Sequence, residues 1–317
     1  MNAPVSDLSN NRERELAAMR ARIAAGVRKQ MAFAAIGVLS TAFAVLVLIA
    51  AFLDLLIDGL PRLSWEFMSS FPSRHADRAG ILSAWVGSAF VMLVTMLSAV
   101  PIGIGAAIYL EEYAKKNWFT NLIEINVTNL AGVPSIVYGL LALGLFVYFF
   151  GFGESILTAG LTLALLILPI VIVSSREALR AIPIHIREAA YAAGATRWQV
   201  VRDHLVPYSR GGMMTGVILG MAEAIGQTAP LITIGALTFI AFLPPAPVTD
   251  VAPFISFAWL FDPFTTMPIQ MYNWISRPKP AFHELAAAAG VVLMLITLGM
   301  NALAIWLRYR YRKRIRW

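Results

Sequence analysis

Glu188-Ala189-Ala190, Gly194 and Pro207 stand at fixed spacing inside a polar stretch, Ser174–Arg210, of a chain that is otherwise almost continuously apolar. These residues do not make a catalytic set. No nucleophile–base pair can be assembled from them, and His75, His185, His204 and His283 are scattered without metal-ligand spacing. With no cysteine in the chain, thiolate metal sites and disulfides are excluded as well. The chemistry this pattern can support is docking. Pro183 suits the first turn of a helix, and the Ala-rich run Ile184–Ala193 has high helix propensity. Gly194 stops that helix as a left-handed C-terminal glycine does. Thr196-Arg197-Trp198-Gln199 has the capping-box pattern, so a second helix is expected at once, running to about Leu205 and ended by Pro207. Two short helices at an angle make a knuckle, and Ala189, Ala190 and Ala193 let a partner surface approach closely.

A second group lies in apolar sequence. Glu223 is the formally charged residue deepest within an expected membrane span, with Gln227 one turn on and Pro230 seven residues on, so helical geometry would put all three on one face. A carboxyl at membrane depth is costly and faces a cavity or a partner. Two readings stand equal: Glu223 is neutralised or paired for structural reasons, or it belongs to a solute pathway. On the same expected span Gly212, Gly216, Gly220 and Ala224 form a small-residue ladder that permits close helix–helix approach. Earlier in the chain Gly132 and Pro134 break the regular backbone ladder. Freed backbone groups are tolerated at membrane depth where they line a cavity, so Pro134, Ser135 and Tyr138 are pathway candidates, with a plain packing kink as the other reading.

The elements that must hold these residues are membrane helices. Of 317 residues 59% are hydrophobic and 14% charged, against about a quarter charged in a soluble domain. Six spans are expected, at about 31–53, 82–110, 121–149, 156–174, 211–240 and 285–307, giving an all-α polytopic membrane protein. The apolar run Met31–Leu53 is too long for a signal-peptide core and reads as an anchored first span. Lys and Arg number six, two, six and six in 1–30, 111–120, 175–210 and 308–317, but three, none and two in 54–81, 150–155 and 241–284. That alternation follows the positive-inside rule and puts both termini and the knuckle in the cytoplasm. It also explains the net charge of +7 without a nucleic-acid partner. The tail 1–30 reads as an amphipathic helix at the lipid headgroups, with Leu16, Met19, Ile23 and Val27 on one face, and 308–317 as a basic cytoplasmic tail. The segment 241–284 holds eight of the 17 prolines and is expected as irregular chain and short interfacial helices on the outer side.

The knuckle resembles the EAA loop of ABC-importer permeases: Glu-Ala-Ala, three residues, Gly, nine residues, then Ile-x-Leu-Pro. Glu188, Ala189, Ala190, Gly194 and Pro207 fall in register, with His204 where Ile is usual and Val206 where Leu is usual. The resemblance continues in Ala131–Gly139, in Ala224-Ile225-Gly226-Gln227-Thr228-Ala229-Pro230-Leu231, and in Gln270–Trp274 followed by Phe282–Ala286. Over roughly 80–310 the chain looks like the phosphate-importer permeases of PstA type. The resemblance implies an ABC type I importer permease fold in a bacterial inner membrane. It implies partners too: a PstC-type second permease, two PstB-type ATPase subunits that use ATP and Mg, and a PstS-type phosphate-binding protein. Arg187, Glu188, Ala189, Ala190, Gly194 and Pro207 would then couple to the ATPase, while Pro134, Ser135, Tyr138, Gly216, Gly220, Glu223, Gln227 and Thr228 would line the path or the permease interface. The chain contains no Gly-Lys dipeptide and hence no Walker A loop, so ATP would be bound by the partner and no cofactor by this chain. One departure matters. The family often has Arg and Glu where this chain has Glu223 and Gln227, and a carboxylate there would repel a phosphate oxyanion that an arginine would attract. Three rivals remain: a permease for sulfate, molybdate or phosphonate; an intramembrane enzyme, which would need more titratable groups than Glu223; and a membrane scaffold, which would leave the knuckle unexplained.

Overall fold

The computed structural model describes the backbone of residues 5–248 and 254–312. By internal packing the chain divides into two units, 1–57 and 58–317. The first is filled by helix α1, Val5–Gly59, whose apolar stretch Lys29–Arg62, which runs on into the second unit, is long enough to cross a membrane. Helical backbone therefore begins well before the expected span. The proposed amphipathic face of the tail, through Leu16 and Ile23, lies outside the residues whose side chains are described.

The second unit carries the rest: α2 Trp65–Ser69, α3 Leu82–Ile108, α4 Trp118–Leu130, α5 Ser135–Ala142, α6 Ile156–Arg180, α7 Ile184–Ala192, α8 Arg197–Gln199, α9 Val206–Ile225, α10 Ala229–Thr233, α11 Met267–Ile275 and α12 Pro280–Arg312. Local sequence explains many of the starts. Ser64, Asn117, Ser155 and Thr196 each accept a hydrogen bond from the backbone N–H three residues on, as side-chain N-caps do. Wide π-helical turns extend α3 through Tyr109–Tyr113 and α5 through Leu143–Phe149.

Helices α3, α6 and α9 form the core. Gly160 of α6 packs on Val94 of α3, Gly103 of α3 packs on Val171 of α6, and the buried Thr95 hydroxyl donates to Val91 O and Gly160 O. Close backbone approach of this kind is how helices associate where lipid removes the hydrophobic drive between them. A second apolar cluster, with Phe67, Ile81, Trp274, Phe282 and Leu285, joins α2, α11 and the start of α12.

Three expectations need correcting. Among the described residues, four helices are long and apolar enough to span, Lys29–Arg62, Leu82–Tyr113, Ile156–Arg180 and Pro280–Arg310, or five if the bent pair α4–α5 counts as one. The third expected span, 121–149, is thus not one helix: Trp118–Leu130 and Ser135–Phe149 meet at 109°. Pro134 supplies no N–H and pushes Val133 out of helical geometry, so the ladder stops at Leu130. The fifth expected span, 211–240, starts earlier and stops at Ile225, after which Gly226-Gln227-Thr228 turn the chain into the short α10. Arg210, Glu223 and its glycines leave α9 less apolar than a lipid-facing helix, as suits a helix buried on α6. Finally, Pro207 ends nothing. The backbone runs helically from Arg197 through Ile225, with a π-helical segment at Val200–Leu205 in which Val206 N–H reaches back to Val201 O. The missing N–H of Pro207 falls where that wide turn hands over to α9.

Candidate functional site

The knuckle forms as its local signals dictate. Pro183 precedes α7, and Gly194 stands at φ +84°, where Gly194 N–H donates to Tyr191 O and Ala195 N–H to Ala190 O. That closes the helix with its last carbonyls satisfied. Thr196 Oγ1 accepts from Gln199 N–H while Gln199 Oε1 accepts from Thr196 N–H, completing the capping box. Ala190, Val200, Val201 and Leu205 pack with Leu179, Ile182 and Met213 into a small core that fixes the knuckle on the ends of α6 and α9.

Arg187 faces inward. Its guanidinium donates to Glu112 Oε1 from Nε and Nη2 (3.1 and 2.9 Å), to Ile182 O (2.9 Å) and to Leu179 O (3.0 Å). The side chains of Arg187 and Glu112 are only 15% and 9% exposed. Arg187 therefore caps the carbonyls of Leu179 and Ile182 at the end of α6 and ties α7 to the π-helical end of α3. Glu188 and Ala189 point outward, and the Glu188 carboxylate has no ion pair among the described residues. Ile184, Glu188 and Tyr191 share one exposed face, at steps of four and three, with Trp198 exposed on the next helix. Asp203 next door is held below the usual carboxylate range by the hydrogen bond from Arg202.

Sequence reasoning missed the charge cluster behind the knuckle. Arg176, 6% exposed, pairs with Glu111 (3.6 Å) and Glu124, and Arg180 pairs with Glu111 (2.9 Å), Glu124 (3.7 Å) and Glu177 (3.5 Å). The cluster joins α4, α6 and the end of α3 beside a cavity of about 350 Å³ that Thr128 and Asn129 also line. Glu124 lies in the first turns of α4, the start of the expected third span. The available signal was the acidic pair Glu111-Glu112 set against an arginine-rich loop.

The pathway candidates divide. Tyr138 is buried and its hydroxyl donates to Leu130 O (2.8 Å), bridging the break between α4 and α5, while Ser135 is half-buried and Pro134 exposed. Gly216 and Gly220 are buried against Ser174 and Ile167 of α6, so the ladder serves contact within the chain. Glu223 is exposed with no ion pair among the described residues; Gln227 and Thr228 are half-buried beyond the helix end. Because α9 stops at Ile225, Glu223, Gln227 and Pro230 do not share a helical face. The two breaks come together, for Gly139 of α5 packs directly on Pro230 and Thr233 of α10.

Stacked apolar helices, broken segments packed on each other and a helical knuckle define a polytopic helical membrane protein. The family model for the binding-protein-dependent transport system inner membrane component matches residues 78–317, and the chain belongs to that family of ABC importer permeases. It is 29% identical over 264 residues to the probable ABC transporter permease protein YqgI of Bacillus subtilis, covering 82% of this chain and 88% of that one. It is 30% identical over 251 residues to the phosphate transport system permease protein PstA of Haemophilus influenzae, covering 78% and 82%. Its fold matches a chain of the bacterial alginate ABC transporter, solved in complex with alginate pentasaccharide-bound periplasmic protein, at a TM-score of 0.61 and 11% identity, covering 88% and 94%. It is a multi-pass membrane transport protein.

Proposed function

We propose that the chain is the PstA-type permease subunit of an ATP-driven inorganic phosphate importer. It forms half of a translocation path with a PstC-type second permease, receives phosphate from a PstS-type binding protein, and is driven by two PstB-type ATPases that bind ATP and Mg. Both termini and the knuckle lie on the cytoplasmic side. The observation that supports the substrate is the likeness to PstA over most of both chains. The support for coupling is geometric. The face of Ile184, Glu188, Tyr191 and Trp198 is exposed, while Arg187 and the small core beneath it join that face to α3, α6 and α9. A push on the knuckle would then move packed helices as a body rather than bend a loop.

The rival is a permease for sulfate, molybdate or a phosphonate. Proteoliposomes holding the chain with its second permease, ATPase and binding protein decide between them. Labelled phosphate should enter with ATP, and excess sulfate, molybdate or methylphosphonate should leave its uptake unchanged. Uptake of sulfate but not phosphate would assign the rival substrate.

A further inference from the structure

A groove between α3, α9 and α12, about 360 Å³ in volume, is walled by Met96, Val100, Met213, Val217, Met221 and Met300. Arg210 is the charged residue in its lining, and it stands at the knuckle end. Arg308 comes alongside, its Cγ 4.0 Å from where a Cβ on Gly211 would sit. Neither arginine has a carboxylate partner among the described residues. From Arg210 to Met221, α9 rises about 16 Å at 1.5 Å per residue. One leaflet contributes about half of a hydrocarbon core roughly 30 Å thick, so the groove is one leaflet deep with its cations at the headgroup end.

We propose that this groove holds an acyl chain of an anionic phospholipid of the leaflet on the knuckle side, with the lipid phosphate at Arg210 and Arg308. The mostly apolar walls, with Asn301 their one neutral polar side chain, rule against a free phosphate ion, which needs several donors together. A zwitterionic lipid would bring an ammonium to a rim with surplus positive charge and no carboxylate. An apolar helix of another protein would fill the walls but leave both arginines without an anion. Five methionines, Met214 among them, give the wall the pliability that a flexible chain requires. The bound lipid would lie against Val206 and Arg210, the first turn of α9 after the π-helical segment.

Native mass spectrometry of the full chain, purified with its partner subunits and titrated with phosphatidylglycerol or phosphatidylethanolamine, tests this. Phosphatidylglycerol should be retained in preference, and Arg210→Gln and Arg308→Gln should each weaken it about fivefold, with Arg210→Lys close to the parent. Val217→Trp, which keeps both arginines, should remove the site by filling the groove, and so reads the acyl-chain half independently of the charges. Equal retention of the two lipids, unchanged binding in Arg210→Gln/Arg308→Gln, or displacement of the lipid by inorganic phosphate would each overturn the proposal. So would cross-linking of Met214→Cys, the single thiol of the chain, to a helix of another subunit seated in the groove.

Discussion

At Gly194 the backbone alone decides what is tolerated. A Cβ there would meet nothing within 4 Å, yet φ is +84°. Gly194→Ala should therefore cost about 1–2 kcal/mol from the left-handed backbone and nothing from crowding, read as a lowered melting temperature of the purified assembly with subunit composition unchanged. At Arg187 the balance is electrostatic. Arg187→Ala leaves the buried Glu112 carboxylate uncompensated and should destabilise by about 3 kcal/mol. Arg187→Ala/Glu112→Gln should recover most of that loss; a double variant as unstable as the single one would show that the pair does not carry the attachment. Glu223 is exposed and has no ion pair among the described residues, and we propose that it meets a basic group on the second permease. Glu223→Gln should weaken co-purification of the two permeases, and unchanged assembly and uptake would sink that pairing.

The helices set a second scale of constraint. A Cβ on Gly216 would collide with the Ser174 side chain of α6, so Gly216→Ala should lower expression of folded chain, and Gly216→Ala/Ser174→Gly should restore it by vacating that space. Fluorescence-detected size exclusion reads both. Tyr138→Phe removes the hydroxyl bridge to Leu130 O and should lower stability by about 1 kcal/mol, which a thermal melt of the same assembly measures. What the sequence disclosed about these elements follows the range of the forces involved. The knuckle was legible because its signals are local: Pro183, Gly194, and the Thr196–Gln199 box lie within a turn of what they control. The bend at Pro134 was legible as a weakness, but its 109° is held by Tyr138 and by packing on α10. The π-helical segment that absorbs Pro207 has no local signature, whereas the early end of α9 has one, Gly226 at the helix end with Pro230 beyond it, which the expectation of a span to 240 passed over. Glu112, Glu111 and Glu124 escaped notice because their arginines lie 75, 69 or 65, and 56 or 52 positions away in the chain.

At the scale of the molecule, the apolar helices and the alternation of basic loops identified a membrane protein, and family membership makes it an ABC importer permease. The central claim is narrower. We propose that residues 184–205 carry force from an external ATPase into α3, α6 and α9, a reading supported by the contacts of Arg187 on one side and the continuous helix from Arg197 on the other. Gly194→Pro is the sharpest probe, because proline cannot adopt φ +84° and removes the N–H that donates to Tyr191 O. The deciding measurement is ATP-driven phosphate accumulation in proteoliposomes that contain equal amounts of inserted parent or Gly194→Pro chain with the other subunits. Accumulation should fall to the level seen without ATP in the Gly194→Pro vesicles; accumulation at the parental rate would contradict the account.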